Sequence, residues 1–493
     1  MRIRKFFLNL TAEVMVKVSK EVLTLFDIII TDEGPDFEEL AVYHTLGDED
    51  LPQVQTKLFV TDLTGQTTID TCTTCGEGDE PVSAAFHRLI KLNFYQLLRR
   101  RLGMAGMPWG ILYGIRPVKI VHRWMDQGIS TAVIVERLKN RYDINPEKAR
   151  LLTTVARHQW PFLFPMSAKD VSIYIGIPFC LSRCLYCSFP AHLLPKEDEI
   201  KFFLRTLQKE IMAVRGAMDR YGLKVQNIYI GGGTPTSLPD ELFEEMMEMA
   251  KAAFYHPAVR EFTVEAGRPD SLSPNKIQTM TACHVNRVSV NPQTMQTRTL
   301  RLIGRHHTPE DIVTAYQSLR AAGIPSVNMD VILGLPEETV ADVQDTMEKI
   351  AALGPDDITL HTLAIKRGSE LKRNLATTEL PTGTQVKKMF AIATDSVIKQ
   401  GLTPYYLYRQ GYQSGQLENI GYCRPGRESL YNMQIMEERQ TILGIGGAAT
   451  SKIVDPHTGR MNTSFNAKDL KSYLDGVDTY IKKRAVLLSK AYG

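Results

Sequence analysis

Three cysteines, Cys180, Cys184 and Cys187, lie within eight residues in the segment CLSRCLYC. Soft thiolate ligands favour zinc and iron–sulfur sites, although three thiols can also be ordinary packing. A structural zinc site usually takes four protein ligands, and no second cysteine pair or histidine lies at zinc-finger spacing. A redox CxxC pair needs only two thiols. Three thiolates suit a 4Fe–4S cluster whose fourth iron stays open, which is a place to bind and cleave a ligand.

The cysteines follow the first of six strand-like runs, and helix-like stretches separate these runs. The runs are VSIYIGI (171–177), NIYIGGG (227–233), FTVEAG (262–267), RVSVN (287–291), VNMDVILGL (327–335) and DITLHTLA (357–364). The helical stretches cover 197–222, 240–254, 273–283, 308–323 and 339–354. Thr308-Pro309-Glu310 is a good helix start, with a capping hydroxyl, a proline at the first position and an acid near the positive dipole end.

This alternation predicts parallel strands joined by right-handed crossovers. Six β/α units make most of a barrel, so the sequence predicts an α/β fold with a partial (β/α)6 TIM-like barrel. The carboxyl ends of the strands carry the chemistry in such barrels. The second strand ends in Gly231-Gly232-Gly233, followed by Thr234, and glycines allow the backbone to approach a ligand closely.

The CxxxCxxC spacing, with an aromatic Tyr186 before the last cysteine, resembles the signature of the radical S-adenosylmethionine (SAM) enzymes. The resemblance implies that Cys180, Cys184 and Cys187 bind a 4Fe–4S cluster and that the open iron binds the amino and carboxylate groups of SAM. It also implies that reductive cleavage of SAM releases a 5′-deoxyadenosyl radical.

The segments YIGIPFCLSRCLYCSF, IYIGGGTPT, FTVEAGRPD, VNRVSVNPQTMQ and VNMDVILGLP resemble the oxygen-independent coproporphyrinogen III oxidases and their relatives. This resemblance is dense over 171–365 and looser in the C-terminal part. A longer branch, HemZ, has an N-terminal extension with a PWGI…GIRPVK-like segment, and this chain resembles that branch in this segment as well.

The resemblance implies roles for individual residues. Tyr174 matches the tyrosine beside the cluster-bound SAM, and Tyr186 matches the aromatic residue near its adenine. Gly232 and Glu265 match residues that bind this SAM. A second SAM is implied by positions that match its contacts: Gly233, Thr234, Gln293, Arg305 and Asp330. Ala364 and Thr450 match less distinctive positions. Taken alone, Arg305 is also compatible with a surface residue, Asp330 with a strand-end cap and Gln293 with a turn residue.

The implied reaction is oxidative decarboxylation of two propionates of coproporphyrinogen III, giving protoporphyrinogen IX. The chain departs from the best-known members at Gly176, where they have a histidine, and at Phe189, where they have a further cysteine. Phenylalanine is typical of the haem-chaperone branch of the family, although that branch's haem-binding histidine motif is not evident. A haem chaperone therefore stays an alternative, as does another radical reaction on a tetrapyrrole, such as anaerobic haem degradation.

The chain is expected to form an N-terminal α+β accessory domain (1–165), the radical SAM core (166–375) and a C-terminal α+β cap (376–493). Within the first domain, VLTLFDIII (22–30) and TKLFVTDL (56–63) are expected to be strands, and 83–103 a helix. The tyrosine-rich segment 404–432, with Arg409, Arg424 and Arg427, suits either contact with a tetrapyrrole or ordinary packing. Cys72 and Cys75 form a CxxC pair with no partner pair.

Composition limits the class of protein. The 493 residues are 43% hydrophobic and 23% charged, with a net charge of +3, which indicates a globular protein without a strong pull toward nucleic acid or membranes. No apolar span reaches membrane length, and seven cysteines do not make a disulfide scaffold. We therefore expect a cytoplasmic protein that acts on a tetrapyrrole and receives electrons from a low-potential donor such as flavodoxin or ferredoxin.

Overall fold

The structure, a computed structural model, describes residues 1–47, 51–410 and 414–493. The chain forms two compact units, Met1–Thr153 and Thr154–Gly493. The three-domain division expected from the sequence, with boundaries near 165 and 375, stays a prediction. None of the helices in the described ranges combines the length and the apolar character that a membrane span requires.

The first unit is a five-stranded sheet covered by helices. Its strands are β1 (Arg2–Leu8), β2 (Ile29–Ile30), β3 (Phe37–Leu46), β4 (Gln53–Thr61) and β5 (Thr67–Cys75), in the order β2-β1-β3-β4-β5. Its helices are α1 (Glu13–Leu25), α2 (Val82–Arg101), α3 (Val118–Asp126) and α4 (Thr131–Tyr142), and α5 (Pro146–Leu163) continues into the second unit. The β3–β4 and β4–β5 pairs are antiparallel, whereas β1 runs parallel to β2 and β3.

The expectation of a strand over 22–30 is wrong for most of that segment. Val22, Leu23 and Leu25 belong to α1 and pack in a core with α2, and only Ile29–Ile30 is a strand. The expected strand at 56–63 corresponds to β4, and the helix at 83–103 to α2. A short apolar run fits a helix face as well as a strand, so periodicity alone does not separate them.

The second unit contains an eleven-stranded sheet in which seven neighbouring strands are parallel. Its strands are β6 (Asp170–Ile177), β9 (Lys224–Gly232), β10 (Glu261–Glu265), β11 (Arg287–Ser289), β12 (Ser326–Leu333), β13 (Asp357–Thr362), β14 (Thr403–Tyr408), β15 (Asn419–Cys423), β16 (Thr441–Gly446), β17 (Thr450–Val454) and β18 (Met461–Phe465), and β7 (Phe179–Cys180) pairs with β8 (His192–Leu193) in a separate ladder.

Helices connect these strands as the alternation predicts. They are α6 (Glu197–Tyr221), α7 (Asp240–Phe254), α8 (Pro274–Ala282), α9 (Thr297–Leu302), α10 (Pro309–Ala321), α11 (Val340–Leu353), α12 (Glu370–Arg373), α13 (Gly383–Lys399), α14 (Leu430–Glu437) and α15 (Leu470–Tyr492). The start of α10 is confirmed, since the Thr308 hydroxyl accepts from Asp311 N and Asp311 accepts from Thr308 N.

The parallel order β6-β9-β10-β11-β12-β13 confirms the partial (β/α)6 barrel. The C-terminal part is α+β, as expected, but its strands extend both edges of this sheet. The antiparallel β15–β14 pair follows β13, and β16 runs parallel to β6 before turning back into β17 and β18. Strand β6, which precedes the cysteines, is therefore an interior strand with partners on both sides.

A buried ion pair ties this C-terminal extension to the barrel. Glu210 on α6 is fully buried and accepts hydrogen bonds from Gly446 N at 2.8 Å, Asn466 Nδ2 at 2.9 Å, Tyr473 Oη at 2.8 Å and Arg484 Nη2 at 2.5 Å. Gly446 ends β16, and Tyr473 and Arg484 lie on α15. These bonds satisfy the carboxylate inside the protein, where it is not exposed to solvent.

We expect Arg484→Met to destabilise the protein by about 3–5 kcal/mol, because the Glu210 carboxylate would stay buried without its counter-charge. The loss should be smaller in the Glu210→Gln, Arg484→Met double variant. Urea denaturation of all variants measures this, with Lys201→Met in the exposed Glu197–Lys201 pair as the control that leaves the midpoint unchanged. Equal losses in the single and double variants would show that the charge of Glu210 is not the cause.

Candidate functional site

The cysteine loop leaves the carboxyl end of β6 and is held at both of its ends. Phe179 and Cys180 pair in parallel with His192 and Leu193, so the chain returns beside its own start. Pro178 O accepts from His192 N at 2.7 Å, and Cys180 O accepts from Leu194 N at 3.0 Å. Between these ends, Cys187 N donates to Cys184 O at 3.0 Å, which closes a turn around the last two cysteines.

Hydrogen bonds from the segments after two neighbouring strands hold the middle of this loop in place. Ser182 Oγ donates to Gly304 O at 2.9 Å, and the buried Arg268 donates to Ser182 Oγ at 2.6 Å. Leu185 N donates to Ile303 O at 3.0 Å. The loop is thus positioned by segments that follow β10 and β11, which explains how three thiols in eight residues obtain a fixed arrangement.

The glycine run at the end of β9 is required by close packing. A Cβ atom on Gly231 would lie 2.6 Å from Glu265 Cδ, and one on Gly233 would lie 2.4 Å from Phe179 O. Gly232 has a φ of +108°, which residues with a side chain rarely adopt. The backbone of this run therefore lies directly against the cysteine loop and the end of β10.

Glu265, the last residue of β10, is the carboxylate of the site. It accepts a hydrogen bond from Tyr229 Oη at 2.5 Å through Oε1 and one from Gly232 N at 3.0 Å through Oε2. Burial raises the pKa of Glu265 to about 7, although both hydrogen bonds oppose this shift. A carboxylate of this kind can accept from an ammonium group or from hydroxyls of a ligand.

A cavity of about 740 Å³ brings most of the predicted residues together. It is lined by the three cysteines and by seven other predicted residues: Tyr186, Gly232, Gly233, Thr234, Glu265, Gln293 and Arg305. Sequence reasoning did not single out Arg268 and Asn291, which also line it. Both follow barrel strands, and this position is the signal that could have found them.

Two buried polar atoms beside this cavity have no hydrogen-bond partner among the residues that the structure describes. Arg305 donates to Gly267 O at 2.9 Å and to Asn291 O, but its Nε atom has no hydrogen-bond partner in the described part of the chain. Gln293 Oε1 is likewise buried without a partner among the described residues. Unsatisfied buried groups are costly, so this arrangement suits a ligand that supplies the missing partners.

A second cavity of about 200 Å³ shares Tyr186 and Gln293 with the first and is also lined by Asp330 and Ala364. Asp330 accepts from Asn328 Nδ2 at 2.9 Å and lies 3.5 Å from His361 Nε2. Burial opposes ionisation of Asp330, but the charge of His361 and the hydrogen bonds hold its pKa below the usual value. The sequence prediction missed His361, which is oriented by a 3.1 Å hydrogen bond with Tyr408.

The structure puts the remaining candidates elsewhere. Among the described residues, Tyr174 and Thr450 line neither of these cavities. Tyr174 stacks with Tyr229 and Tyr431, whose ring centroids lie 6.1 and 5.9 Å away. Tyr229 precedes Gly231 by two residues on β9, and this spacing, which puts both on one face, could have identified it.

In the tyrosine-rich segment, Tyr405, Tyr406 and Tyr422 are buried, as ordinary packing predicts, and residues 411–413 lie outside the described residues. Cys72 and Cys75 lie on β5 with an odd separation, so they face opposite sides of the sheet. Such a pair cannot act together on a single ligand.

Comparisons with known proteins show which family this chain resembles. The Radical SAM superfamily profile matches residues 174–350. The oxygen-independent coproporphyrinogen-III oxidase-like protein HemZ of Bacillus subtilis is 39% identical over 411 residues, covering 82% of this chain and 81% of that protein. The chain belongs to the radical SAM superfamily, in the oxygen-independent coproporphyrinogen-III oxidase-like family.

Two further proteins, whose names state different functions, are also similar to this chain. The heme chaperone HemW of Bacillus subtilis is 27% identical, over 62% of this chain and 75% of that protein. The solved structure of coproporphyrinogen III oxidase (HemN) from Escherichia coli, a radical SAM enzyme, matches with a TM-score of 0.53 and 23% identity, covering 66% of this chain and 72% of that chain. At this identity the structural match supports the fold alone.

As a radical SAM protein, the chain uses a 4Fe–4S cluster and SAM. The residues present fit both groups. Three thiols line one side of the larger cavity, and the glycine run, Glu265 and the unpartnered atoms of Gln293 and Arg305 lie around it. Soft sulfur ligands suit the cluster, and mixed donors and acceptors suit the zwitterionic end of SAM.

We expect anaerobic reconstitution to load one 4Fe–4S cluster per chain, and replacement of Cys180, Cys184 or Cys187 by Ala to abolish loading, because each thiolate would hold one iron. Iron and sulfide analysis measures this. Cys72→Ala with Cys75→Ala is the matched control and should load normally. Full iron and sulfide content in the triple variant would contradict the ligand assignment.

Proposed function

We propose that this protein catalyses the oxygen-independent oxidative decarboxylation of two propionates of coproporphyrinogen III to vinyl groups, giving protoporphyrinogen IX. The observation that carries the proposal is the second cavity, which adjoins the cluster-side cavity through Tyr186 and Gln293. A reaction that runs twice on one substrate has a use for a second SAM beside the first, and Asp330 and Ala364 line this adjoining space.

Atoms and electrons balance at each propionate. A hydrogen atom leaves the carbon next to the ring, and carbon dioxide leaves from the carboxylate. One electron passes to an external one-electron acceptor, and the two side-chain carbons become joined by a double bond. When bound, the cluster and SAM supply the radical that takes the hydrogen atom.

The protein's own residues bind and orient. We assign Cys180, Cys184 and Cys187 to the cluster, and Gly232 and Glu265 to the SAM on it, with Tyr186 beside its adenine. Tyr174, which stacks on Tyr229, acts indirectly by supporting Glu265. We assign Gly233, Thr234, Gln293, Arg305, Asp330 and Ala364 to the second SAM.

These roles follow from chemistry that each group offers. The Glu265 and Asp330 carboxylates accept from ammonium or ribose hydroxyl groups, and the Arg305 guanidinium is a cationic donor for a carboxylate. Positioning of this kind accelerates the reaction, because it holds the reacting carbon in line with the radical and excludes water.

We further propose that the reaction takes place in the cytoplasm, with a low-potential donor such as flavodoxin or ferredoxin as the electron source. All seven cysteines are free thiols in the structure. Reduced thiols and a reducible cluster both suit a reducing compartment.

The second candidate is a haem chaperone of the same family, and Phe189 favours it. Its ring lies against Gly232, 3.2 Å from where a Cβ atom would stand, and lines the larger cavity. A phenylalanine cannot supply the thiol that the best-known oxidases have at this position.

We expect SAM affinity to rise about tenfold between pH 6 and pH 8, because burial raises the pKa of Glu265 to about 7 and the ionised form attracts an ammonium group far more strongly than the neutral form. The Glu265→Gln variant should bind SAM weakly at every pH and should not show this rise. Equilibrium dialysis of the cluster-loaded protein measures the SAM affinity of the wild type and of Glu265→Gln at each pH. Dividing one affinity by the other removes the effect of titration of SAM itself. A constant ratio across this range would exclude Glu265 as the titrating group.

The decisive experiment incubates the anaerobically loaded protein with SAM, dithionite, a one-electron acceptor and coproporphyrinogen III, and analyses the tetrapyrrole by mass. We expect vinyl product and 5′-deoxyadenosine from the wild type. Arg305→Ala and Asp330→Ala should lose about tenfold to a thousandfold in product, because ~1.4 to 4 kcal/mol of positioning and charge stabilisation is removed.

Cluster loading should be unchanged in both variants, and the exposed Arg301→Ala on α9 is the matched control. Absence of vinyl product together with tight haem binding and transfer would favour the chaperone. Full product from both variants would leave the decarboxylase in place but remove the second SAM site.

A further inference from the structure

A third cavity lies at the amino-terminal ends of the barrel strands and is separate from the proposed active site. It has a volume of about 330 Å³ and is lined by Glu261, Arg287 and Ser326, which begin β10, β11 and β12. Glu428, from the loop between β15 and α14, also lines it. The active-site residues described above follow the opposite ends of these strands.

Three different ligand types meet beside this cavity. His158 comes from α5, Cys423 ends β15, and Glu428 lies in the following loop. One imidazole nitrogen, the thiol sulfur and one carboxylate oxygen all lie within 4.8 Å of one another. Cys423 is fully buried, and the side chain of Glu428 is only 5% exposed.

The hydrogen bonds of His158 show which of its two imidazole nitrogens could bind a metal ion. Nδ1 lies 3.1 Å from Pro404 O, a carbonyl that can only accept, so Nδ1 carries a proton. Nε2 lies 2.8 Å from Glu428 Oε1, and Gly426 N donates to this same oxygen at 3.2 Å. A lone pair on Nε2 would repel the carboxylate oxygen, so this 2.8 Å contact needs a cation: either a shared proton, or a metal ion bound to both atoms after they move slightly apart.

The nearby Cys423 thiol favours the metal ion over the proton. A bridging proton needs only the nitrogen and the oxygen, whereas a metal ion uses a third ligand within reach. Donation of the distal imidazole nitrogen to a backbone carbonyl is the usual outer-shell arrangement of a metal-bound histidine. Ligand atoms around tetrahedral zinc are roughly 3.2–3.8 Å apart, so small shifts of side chains suffice here.

Ligand chemistry and charge select the metal. Nitrogen, sulfur and carboxylate ligands together suit Zn²⁺, whereas Ca²⁺ and Mg²⁺ take oxygen ligands. The ion would have to displace the proton of the Cys423 thiol, and the resulting thiolate and the carboxylate would then balance its two positive charges. The adjacent cavity can supply a water molecule as the fourth ligand.

We propose that His158, Cys423 and Glu428 bind one Zn²⁺ ion, with water from the adjacent cavity as the fourth ligand. The ion connects α5, the end of β15 and the loop before α14. This site is independent of the proposed reaction on the tetrapyrrole, because it shares no residue with the two active-site cavities.

The test uses the full chain with its cluster loaded, so that zinc cannot occupy Cys180, Cys184 or Cys187. The protein is equilibrated anaerobically with Zn²⁺ and gel-filtered, and zinc and iron are counted by mass spectrometry. We expect about one zinc per chain in the wild type and less than about a tenth of that in Cys423→Ser and His158→Gln, at unchanged iron. Cys283→Ser, at another buried thiol, and Cys72→Ala with Cys75→Ala are controls that should keep the zinc.

X-ray absorption at the zinc edge of the Cys72→Ala, Cys75→Ala protein tests the site without altering it. We expect one sulfur at about 2.3 Å and nitrogen or oxygen at about 2.0–2.1 Å. Zinc binding below a tenth of an equivalent in the wild type, retention of zinc in Cys423→Ser, or a zinc shell without sulfur would each overturn the proposal. The first of these outcomes would leave a proton between His158 and Glu428.

Discussion

The contact on which the site depends most is the pair of hydrogen bonds that Glu265 accepts from Tyr229 and from Gly232 N. It joins the carboxyl ends of two neighbouring barrel strands around a buried carboxylate. The carboxylate fills the space that a side chain on Gly231 would occupy, and it accepts from the backbone at a φ of +108°. The glycine run is therefore a packing requirement before it is a binding feature. Because the run also lies against Phe179, one residue before the cysteine motif, a disturbance at Glu265 would reach the cluster loop directly.

The cysteine loop depends equally on residues far away in sequence. Strand β6 needs hydrogen-bond partners on both edges, and β16 supplies the second edge from near the C-terminus. The Glu210–Arg484 ion pair holds the C-terminal segment with β16 in place. The pair is buried, and its hydrogen bonds balance the cost of desolvating the two charges. The C-terminal strands are thus a structural part of the barrel sheet. This explains why the first β/α unit, which carries all three cluster cysteines, can be an interior element in an open barrel.

The sequence predicts the six barrel strands and the helices between them well, because buried parallel strands, amphipathic helices and a Thr308 cap are local signals. The family resemblance also identifies part of the lining of both cavities, although not Arg268, Asn291 or His361. The sequence prediction fails for Val22–Leu25, since a short apolar run fits a helix face as well as a strand. It also misses the way the C-terminal strands extend both edges of the barrel sheet, because the parallel pairing of β16 with β6 spans more than 260 residues and leaves no local pattern. Tyr229 and His361 were missed for the same reason: their roles come from partners on other strands.

Gln293 is where the constraints of the fold and the proposed chemistry meet. It adopts a left-handed φ of +64°, held by hydrogen bonds from its own N to Asp330 O and from Ile332 N to its O, both at 2.9 Å. Left-handed backbone costs a non-glycine residue roughly 1–2 kcal/mol. An unpartnered buried oxygen costs about 1–3 kcal/mol more. Packing in the barrel would be served better by glycine or asparagine at this position. Both costs fall on a residue that lines both cavities, and a ligand that donates to Gln293 Oε1 would offset the larger of them. The strained turn is therefore better explained by the proposed binding role of Gln293 than by packing of the barrel.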